Sequence, residues 1–369
     1  MLERVSGHGS MMIDNGSPSP VAVHPRAAVA RAGVVLAVAV VAVVAACGGS
    51  PASTTTLNLG YFPNVSHAPA LVGVERGLFA AALGTAVQLN TFTFTAGPPT
   101  IEALFSEAID IAFIGPSPTI NAFAQSDGAA IRIISGSTSG GAFLVVKPDI
   151  TSVDQLIGRT LATPALGNTQ DVALRSWLLA NGLATTVDGG GDVSVLPQSN
   201  ATTLDAFVAG TIDGAWVPEP WATRLVDEGG GSVLVDERDL WPDTDGQFVT
   251  THVVVRTAYL EQHADVVKAF LTGLLDTFDL IAIDPAAARA DVTIQLDSIV
   301  GRPTDQRVLE HSFDNLTFGP DPVAASLGGS AQAAIEVGLL SPVDLDGIYD
   351  LTLLNGLLAA RALPNVEDR

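Results

Sequence analysis

The segment LNLGYFPNVSHAPALVGVERGLF, residues 57–79, joins a β-rich run to an apolar helical run through a short loop. The β-rich run covers residues 57–61, and the helical run covers residues 68–79. The same order recurs downstream, with runs at residues 87–94, 100–106, 110–114, 119–125 and 131–135. Such alternation is typical of an α/β sheet. A second series of this kind, between residues 142 and 217, predicts a second α/β lobe.

We expect the chain to pass between these two lobes twice. A further β-branched run covers residues 249–255, and apolar helical patterns follow at residues 264–280, 285–296, 305–310, 323–338 and 344–362. This order places the crossings near residues 139–146 and 248–255. We therefore predict that residues 57–140 and 249–369 form lobe I and that residues 141–248 form lobe II.

An apolar run near the N-terminus leads to the single cysteine of the chain. Residues 32–46 follow Arg26 and Arg31, and they are too few to cross a bilayer core that needs about 20 residues. We predict a signal peptide at residues 1–46, lipid attachment at Cys47 and a tether at residues 47–56. The end of the run, VAAC at residues 44–47, resembles the lipobox of bacterial lipoproteins. The alternatives are an ordinary signal peptide and an uncleaved anchor.

The charge balance excludes nucleic acid as a partner. The formal net charge is −22, and Lys147 and Lys268 are the only two lysines among 369 residues. A phosphate backbone is bound by clustered Lys and Arg side chains, and this sequence has no such cluster.

The histidines and the cysteine argue against an enzyme. After lipidation of Cys47 no thiol remains for a disulfide, a thiolate metal site or a nucleophile. Beyond residue 46 the histidines are His67, His252, His263 and His311, and none lies in a recognisable triad or in a His-Glu-x-x-His zinc pattern. We therefore predict no catalytic residue, no metal site and no cofactor.

Ligands of α/β sheets bind beyond the carboxyl ends of the strands, so the loops after the predicted strands are the candidate site. The loop at residues 60–69 offers Asn64 and His67 as hydrogen-bonding groups, although a helix cap explains such residues equally well. The loop at residues 115–119 has Gly115, which permits close approach to the backbone, and Ser117 at the start of a helix. Such a helix start suits an anion.

Two later loops add neutral donors and a carboxylate. Asn168, Thr169 and Gln170 open the helix that follows residue 168, where the helix dipole favours an oxyanion. Asp171 would repel an anion if it faced the same way, and otherwise it caps the helix. In the loop around residues 213–221, Trp216 and Glu219 could form an aromatic wall with a negative charge for a ligand amine. The alternative places Trp216 in the core and Glu219 in solvent.

Together these loops resemble the solute-binding proteins of ABC importers in the nitrate, sulfonate and taurine group, and most closely the aliphatic-sulfonate branch. The resemblance spans roughly residues 57–280, and it is carried by the motifs GYFPN (60–64), HAPAL (67–71), GPSP (115–118), GNTQDVALR (167–175) and IDGAWVPEPW (212–221). It implies a type II periplasmic-binding-protein fold, with two α/β lobes joined by a hinge of two crossings.

The resemblance also implies the function. We expect an extracytoplasmic protein, tethered to the membrane by its lipid, that acts as a monomer. It would capture a small organic anion or zwitterion, an aliphatic sulfonate or taurine, by closing its lobes and would deliver it to an ABC permease. The alternatives are nitrate, bicarbonate or a pyrimidine precursor as ligand, and an enzyme or a sensor of the same fold. The expected ligand-binding residues are Asn64, His67, Ser117, Asn168, Thr169, Gln170, Trp216 and Glu219.

Overall fold

The structure is a computed structural model that describes residues 55–301 and 303–369. Its strands are β1 Thr55–Tyr61, β2 Val87–Thr93, β3 Ile111–Ile114, β4 Ile131–Gly140, β5 Ala142–Val146, β6 Thr160–Thr163, β7 Ser194–Pro197, β8 Gly214–Pro218, β9 Ser232–Asp236, β10 Val249–Arg256 and β11 Leu316–Phe318. Its helices are α1 Ala68–Glu75, α2 Leu78–Leu83, α3 Gly97–Phe105, α4 Pro116–Gln125, α5 Thr169–Ala180, α6 Asn200–Val208, α7 Trp221–Asp227, α8 Thr257–Gln262, α9 Ala264–Ile283, α10 Pro285–Val300, α11 Gln306–Asp314, α12 Ala324–Glu336 and α13 Thr352–Ala360.

The strands form two separate sheets. The first has the order β11-β4-β10-β3-β1-β2, and the second has the order β7-β6-β8-β5-β9. In the first sheet β1 is parallel to β2 and β3, whereas β10 runs antiparallel to β3 and β4. In the second sheet β6 is parallel to β7 and β8, and β5 runs antiparallel to β8 and β9. We call the first sheet with its helices lobe I and the second with its helices lobe II.

The chain moves from one sheet to the other in two places. The first crossing is the single residue Gly141 between β4 and β5, and the second lies between the end of β9 and the start of β10. Both Gly140 and Gly141 have positive φ values, +80° and +69°. Glycine adopts this left-handed conformation without the cost that a Cβ would add, so the first crossing can turn within two residues. The lobe boundaries predicted above stay a prediction.

The central strands of each sheet are buried on both faces. Successive strand residues point to opposite sides, so each face packs against its own helices. In β3 the side chain of Phe113 packs with Phe79 of α2 and Phe270 of α9, whereas Ile114 packs with Phe123 of α4 on the other face. The second sheet repeats this arrangement, with Leu144 on the side of α5 and Phe143 on the side of α6 and α7. Helices therefore cover both faces, and the loops that face the cleft rest on a rigid frame.

Two predicted boundaries differ from the structure. The first strand begins at Thr55, so the last two residues of the predicted tether belong to β1. The helix predicted over residues 344–362 is confined to α13. Its first part forms a turn and a single β-bridge instead: Gly347 takes a positive φ of +80°, and Ile348 accepts a backbone hydrogen bond from Ile133. The predicted signal peptide and the lipid site at Cys47 lie outside the described residues.

Candidate functional site

Loops from both lobes enclose a small cavity at the carboxyl ends of β1, β3, β6 and β8. The cavity measures about 20 Å³, which is room for about one water molecule. None of the described residues that line it carries a carboxylate, an ammonium or a guanidinium group. They are Phe62, Asn64, Ser66, His67, Thr95, Gly115, Pro164, Asn168, Thr169, Gln170, Asn200, Pro218, Thr250 and Thr251. The structure thus brings together five of the eight predicted site residues: Asn64, His67, Asn168, Thr169 and Gln170.

Two polar atoms that line this cavity are buried without a hydrogen-bond partner. They are Oγ1 of Thr169, in the first turn of α5, and Oδ1 of Asn200, at the start of α6. The hydroxyl of Ser117, in the first turn of α4, is buried and unpartnered as well, although Ser117 is not among the lining residues. A buried polar atom left unpaired costs about 1–3 kcal/mol, so these groups favour a polar ligand that pairs with them.

His67 contributes a neutral ring to the cavity. Its Nδ1 accepts a hydrogen bond from the backbone N–H of Phe62 at 3.3 Å, and the two rings stack with their centres 4.4 Å apart. Burial lowers the pKa of His67 to about 3. Since Nδ1 is the acceptor, we assign the remaining ring hydrogen to Nε2. His67 can therefore donate a hydrogen bond to a ligand but does not supply a positive charge at neutral pH.

The two lobes approach each other closely where Gly115 faces Thr169. A Cβ added to Gly115 would lie 2.5 Å from Oγ1 of Thr169, which is closer than real contacts allow. The absence of a side chain at Gly115 lets the N-terminus of α5 in lobe II reach the N-terminus of α4 in lobe I. The structure is therefore a closed arrangement of the lobes around the cavity.

A hydrogen bond across the cleft joins Trp221 to Asn64. The indole Nε1 of Trp221, the first residue of α7 in lobe II, donates to Oδ1 of Asn64 in lobe I at 2.9 Å. This bond adds a direct polar contact between the lobes at the edge of the cavity.

Asp171 does not face the cavity. Its carboxylate accepts hydrogen bonds from Oγ1 of Thr163 at 2.8 Å and from the backbone N–H of Gly167 at 3.0 Å, and it pairs with Nε of Arg175 at 3.1 Å. Asp171 is fully buried, and the side chain of Arg175 is 1% exposed. The carboxylate therefore holds the loop before α5 in place, and its charge is balanced by Arg175 and not presented to a ligand.

Glu219 requires a correction to its predicted placement. It is fully buried and is not among the residues that line the cavity. Its carboxylate accepts four hydrogen bonds: two from the backbone N–H and the hydroxyl of Thr223, one from Oγ of Ser312 and one from Nδ2 of Asn315. Burial raises the pKa of Glu219, and these four donors oppose that rise. In this arrangement no side of the carboxylate is left for a ligand amine.

Trp216 is also placed away from the cavity. It is fully buried in the core of lobe II, and its Nε1 donates to Oε2 of Glu237 at 2.8 Å. The alternating pattern of β8 explains this, since Trp216 points to one face of the sheet with Leu144, whereas Val217 points to the other. The predicted aromatic wall around Glu219 is therefore absent from the described cleft.

Five polar residues of the cavity are not among the eight predicted site residues: Ser66, Thr95, Asn200, Thr250 and Thr251. Asn200 follows a strand and begins a helix, so the rule that identified the other loops could have found it. Thr250 and Thr251 belong to β10, where a β-branched run indicates a strand and gives no sign of a ligand site.

The described residues contain no helix that is both long enough and apolar enough to cross a membrane. They also contain no group of three or more His, Cys, Asp or Glu side chains arranged to hold a metal ion.

Comparison with known proteins places this two-lobed structure in a family. The sequence model of the NMT1-like family matches residues 50–296. The chain belongs to the NMT1-like family. This NMT1-like protein is 28% identical over 236 residues to the taurine-binding periplasmic protein of Escherichia coli strain K12, and the match covers 62% of this chain and 67% of that protein. It is 26% identical over 254 residues to the bicarbonate-binding protein CmpA of Synechococcus, with 63% of this chain and 55% of that protein covered.

A solved structure shares the fold of this NMT1-like protein. The alkanesulfonate-binding protein SsuA from Xanthomonas axonopodis pv. citri, bound to MOPS, superposes with a TM-score of 0.64 at 21% identity, covering 78% of this chain and 95% of that chain. The predicted fold class, two α/β lobes of the periplasmic-binding-protein type with a hinge of two crossings, is confirmed by this likeness and by the two sheets. The resemblance to the nitrate, sulfonate and taurine group is confirmed as well.

Proposed function

We propose that this NMT1-like protein is an extracytoplasmic solute-binding protein of an ABC importer that captures a small organic anion, most concretely an aliphatic sulfonate. The anion binds in the cleft, stabilises the closed lobes by touching both, and is then delivered to a permease. The observation that carries the proposal is the unpartnered Oγ1 of Thr169 at the N-terminus of α5, in a cavity lined by neutral donors. The names of the relatives support the same class of protein.

The chemistry of the cleft suits an anion without a cationic side chain. The N-terminal turn of α5 carries the partial positive charge of its helix dipole, and neutral donors can surround an oxyanion there. His67, neutral at physiological pH, donates from Nε2 in the same cavity. A ligand that pairs with groups of both lobes binds the closed state better than the open one, and this difference in affinity drives closure.

The position of Glu219 bears on the choice between an aliphatic sulfonate and taurine. The carboxylate of Glu219, which was the predicted partner of a taurine amine, already accepts hydrogen bonds from four protein donors. We therefore favour a sulfonate without an amine. If the ligand is a zwitterion, its amine would donate to Oδ1 of Asn200 instead of to Glu219.

The size of the cavity favours a second candidate ligand. About 20 Å³ in the closed arrangement suits a planar inorganic oxyanion such as nitrate or bicarbonate better than a sulfonate, which needs the lobes to part slightly. The bicarbonate-binding relative agrees with this candidate.

The lipid anchor at Cys47, the monomeric state and the permease partner remain part of the proposal. A pyrimidine precursor as ligand, an enzyme and a sensor of this fold remain the alternatives.

Calorimetric titration of residues 51–369 with methanesulfonate, taurine, nitrate and bicarbonate tests the proposal. We expect saturable binding of at least one of these, with a Kd on the order of micromolar, about 8 kcal/mol. Thr169→Val should weaken that binding about tenfold without lowering the melting temperature, because the hydroxyl has no partner in the protein. Thr277→Val is the matched control, since Thr277 is equally buried but bonds within α9 to the carbonyl of Gly273. Absence of binding to all four anions would refute the proposal.

A further inference from the structure

A second cavity lies on the outer side of the Asn64–Trp221 hydrogen bond. It measures about 240 Å³, and it is formed by α7 of lobe II and by the ends of α10 and α11 of lobe I. We call it the outer pocket. It is twelve times larger than the cleft cavity, so it offers the space that the cleft lacks.

The two cavities share one wall. Asn64 and Pro218 line the cleft cavity, whereas Pro63 and Pro220, one and two residues away, line the outer pocket. Trp221 also lines the outer pocket and donates its indole N–H to Asn64 across the wall. This hydrogen bond therefore lies between the two cavities.

The outer pocket has one apolar wall, but four of its lining residues are polar or charged: Arg224, Glu228, Thr304 and Asp305. The side chains of Leu296, Val300 and Val308 from lobe I face Pro220 and the Trp221 ring from lobe II. The guanidinium of Arg224 lies 4.8 Å from the centre of the Trp221 ring. Its charge is balanced by two hydrogen bonds to the carboxylate of Glu228, at 2.6 and 3.0 Å. The apolar wall therefore favours contact with a hydrocarbon group, which removes apolar surface from water.

The geometry points to the outer pocket as the binding site for the apolar tail of the captured anion, with Trp221 as the residue that determines tail specificity. This inference rests on the proposed function, since the anionic head of the same ligand occupies the cleft. The tail displaces the Asn64–Trp221 hydrogen bond and packs between α7 and α10. The preferred ligand is then an anion with a chain of several carbons or a ring, and not the smallest members of its class.

A chain-length series tests this assignment. Calorimetric Kd values are measured for methanesulfonate, 1-butanesulfonate and 1-hexanesulfonate. Each buried methylene strengthens binding by up to about fourfold, so we expect hexanesulfonate to bind at least tenfold more tightly than methanesulfonate. Val300→Trp fills the outer pocket from a position that is 47% exposed, which keeps the core intact. The Kd for methanesulfonate should change by less than twofold in this variant, and the Kd for hexanesulfonate should rise at least tenfold.

Ile294→Trp is the matched control, since Ile294 lies on the same helix, is 52% exposed and is not among the residues lining the outer pocket. It should leave all three affinities unchanged. Equal affinity for the three sulfonates, or an equal loss for all three in Val300→Trp, overturns the tail assignment and leaves the proposed function standing. If methanesulfonate itself does not bind, the proposed function fails for sulfonates, and the tail assignment fails with it.

Discussion

Nδ2 of Asn315 donates a hydrogen bond to Oε1 of Glu219 at 2.8 Å, and so joins lobe I to lobe II beside the first crossing of the chain. Glu219 lies between β8 and α7 of lobe II, whereas Asn315 directly follows α11. The backbone N–H of Glu219 also donates to the carbonyl of Gly141, which is the crossing residue itself. This buried carboxylate therefore fixes the hinge, and its position explains why it does not reach the ligand cavity.

Replacing Glu219 by Gln tests this hinge role. A glutamine presents one N–H₂ group where the carboxylate accepts hydrogen bonds, so at least one donor among Thr223 and Ser312 loses its partner. We expect the free energy of unfolding to fall by about 1–3 kcal/mol, because a buried donor is left unpaired. The ratio of the taurine and methanesulfonate Kd values should stay unchanged. Chemical denaturation and calorimetry measure the two quantities, and a selective loss of taurine binding would show that Glu219 does contact an amine.

Replacing Gly115 by Ala tests lobe closure. The added Cβ would lie 2.5 Å from Oγ1 of Thr169, so either this hydroxyl must rotate away from the cavity or α5 must move away from α4. The φ of Gly115 is −75°, a value that alanine adopts without strain. We therefore expect anion affinity to fall at least tenfold, with little change in melting temperature.

The matched control for this substitution is Gly356→Ala. Gly356 lies in α13, and a Cβ there meets no atom within 4 Å. We expect unchanged affinity and a gain in stability of up to about 1 kcal/mol from the higher helix propensity of alanine. If both alanine variants bind the anion equally well, close contact between Gly115 and Thr169 is not needed for capture.

Glu237 makes the stability depend on pH. Burial raises the pKa of its carboxyl from 4.5 to about 7, and the indole N–H of Trp216 partly offsets that rise. In the unfolded chain this carboxyl loses its proton near pH 4.5. Between about pH 4.5 and 7 the folded protein therefore holds one proton more than the unfolded chain. The contribution to stability is thus fully present below about pH 4.5 and is lost as the pH rises through 7, a change of about 3 kcal/mol.

Glu237→Gln keeps an acceptor for Trp216 and cannot ionise. Thermal unfolding at pH 5 and pH 8 should therefore show a smaller loss of stability with rising pH in this variant than in the unchanged protein. Glu261→Gln, at an exposed position of α8, serves as the control because it removes a carboxyl elsewhere. A pH dependence that is identical in the unchanged protein and in Glu237→Gln would show that Glu237 does not hold a proton near neutral pH.

The sequence predicts the sheets and most cavity loops because both depend on local patterns. The β-rich and helical runs place loops at strand ends, and five of the eight predicted residues meet there. Trp216 and Glu219 could not be placed in this way. Trp216 lies within β8, and helices cover both faces of this sheet, so its side chain is buried in the core on either face. The four donors to Glu219 include Ser312 and Asn315, which are about 90 residues away in sequence, so no local pattern shows them.

The hydrogen bond from Trp221 to Asn64 should stabilise the closed lobes around a ligand that has no tail. Trp221→Phe removes the donor but keeps an aromatic ring in the wall of the outer pocket, so only the polar contact between the lobes is lost. A hydrogen bond contributes about 1 kcal/mol, which corresponds to a roughly fivefold weaker affinity for methanesulfonate or nitrate. Hexanesulfonate should be affected less, because its tail already displaces this bond. Trp177→Phe is the control, since Trp177 is partly buried and packs on Trp216 at the edge of the core of lobe II, away from the cleft cavity. Calorimetry measures the methanesulfonate Kd of the two variants. Equal values for Trp221→Phe and Trp177→Phe would mean that the Asn64–Trp221 hydrogen bond contributes nothing to closure.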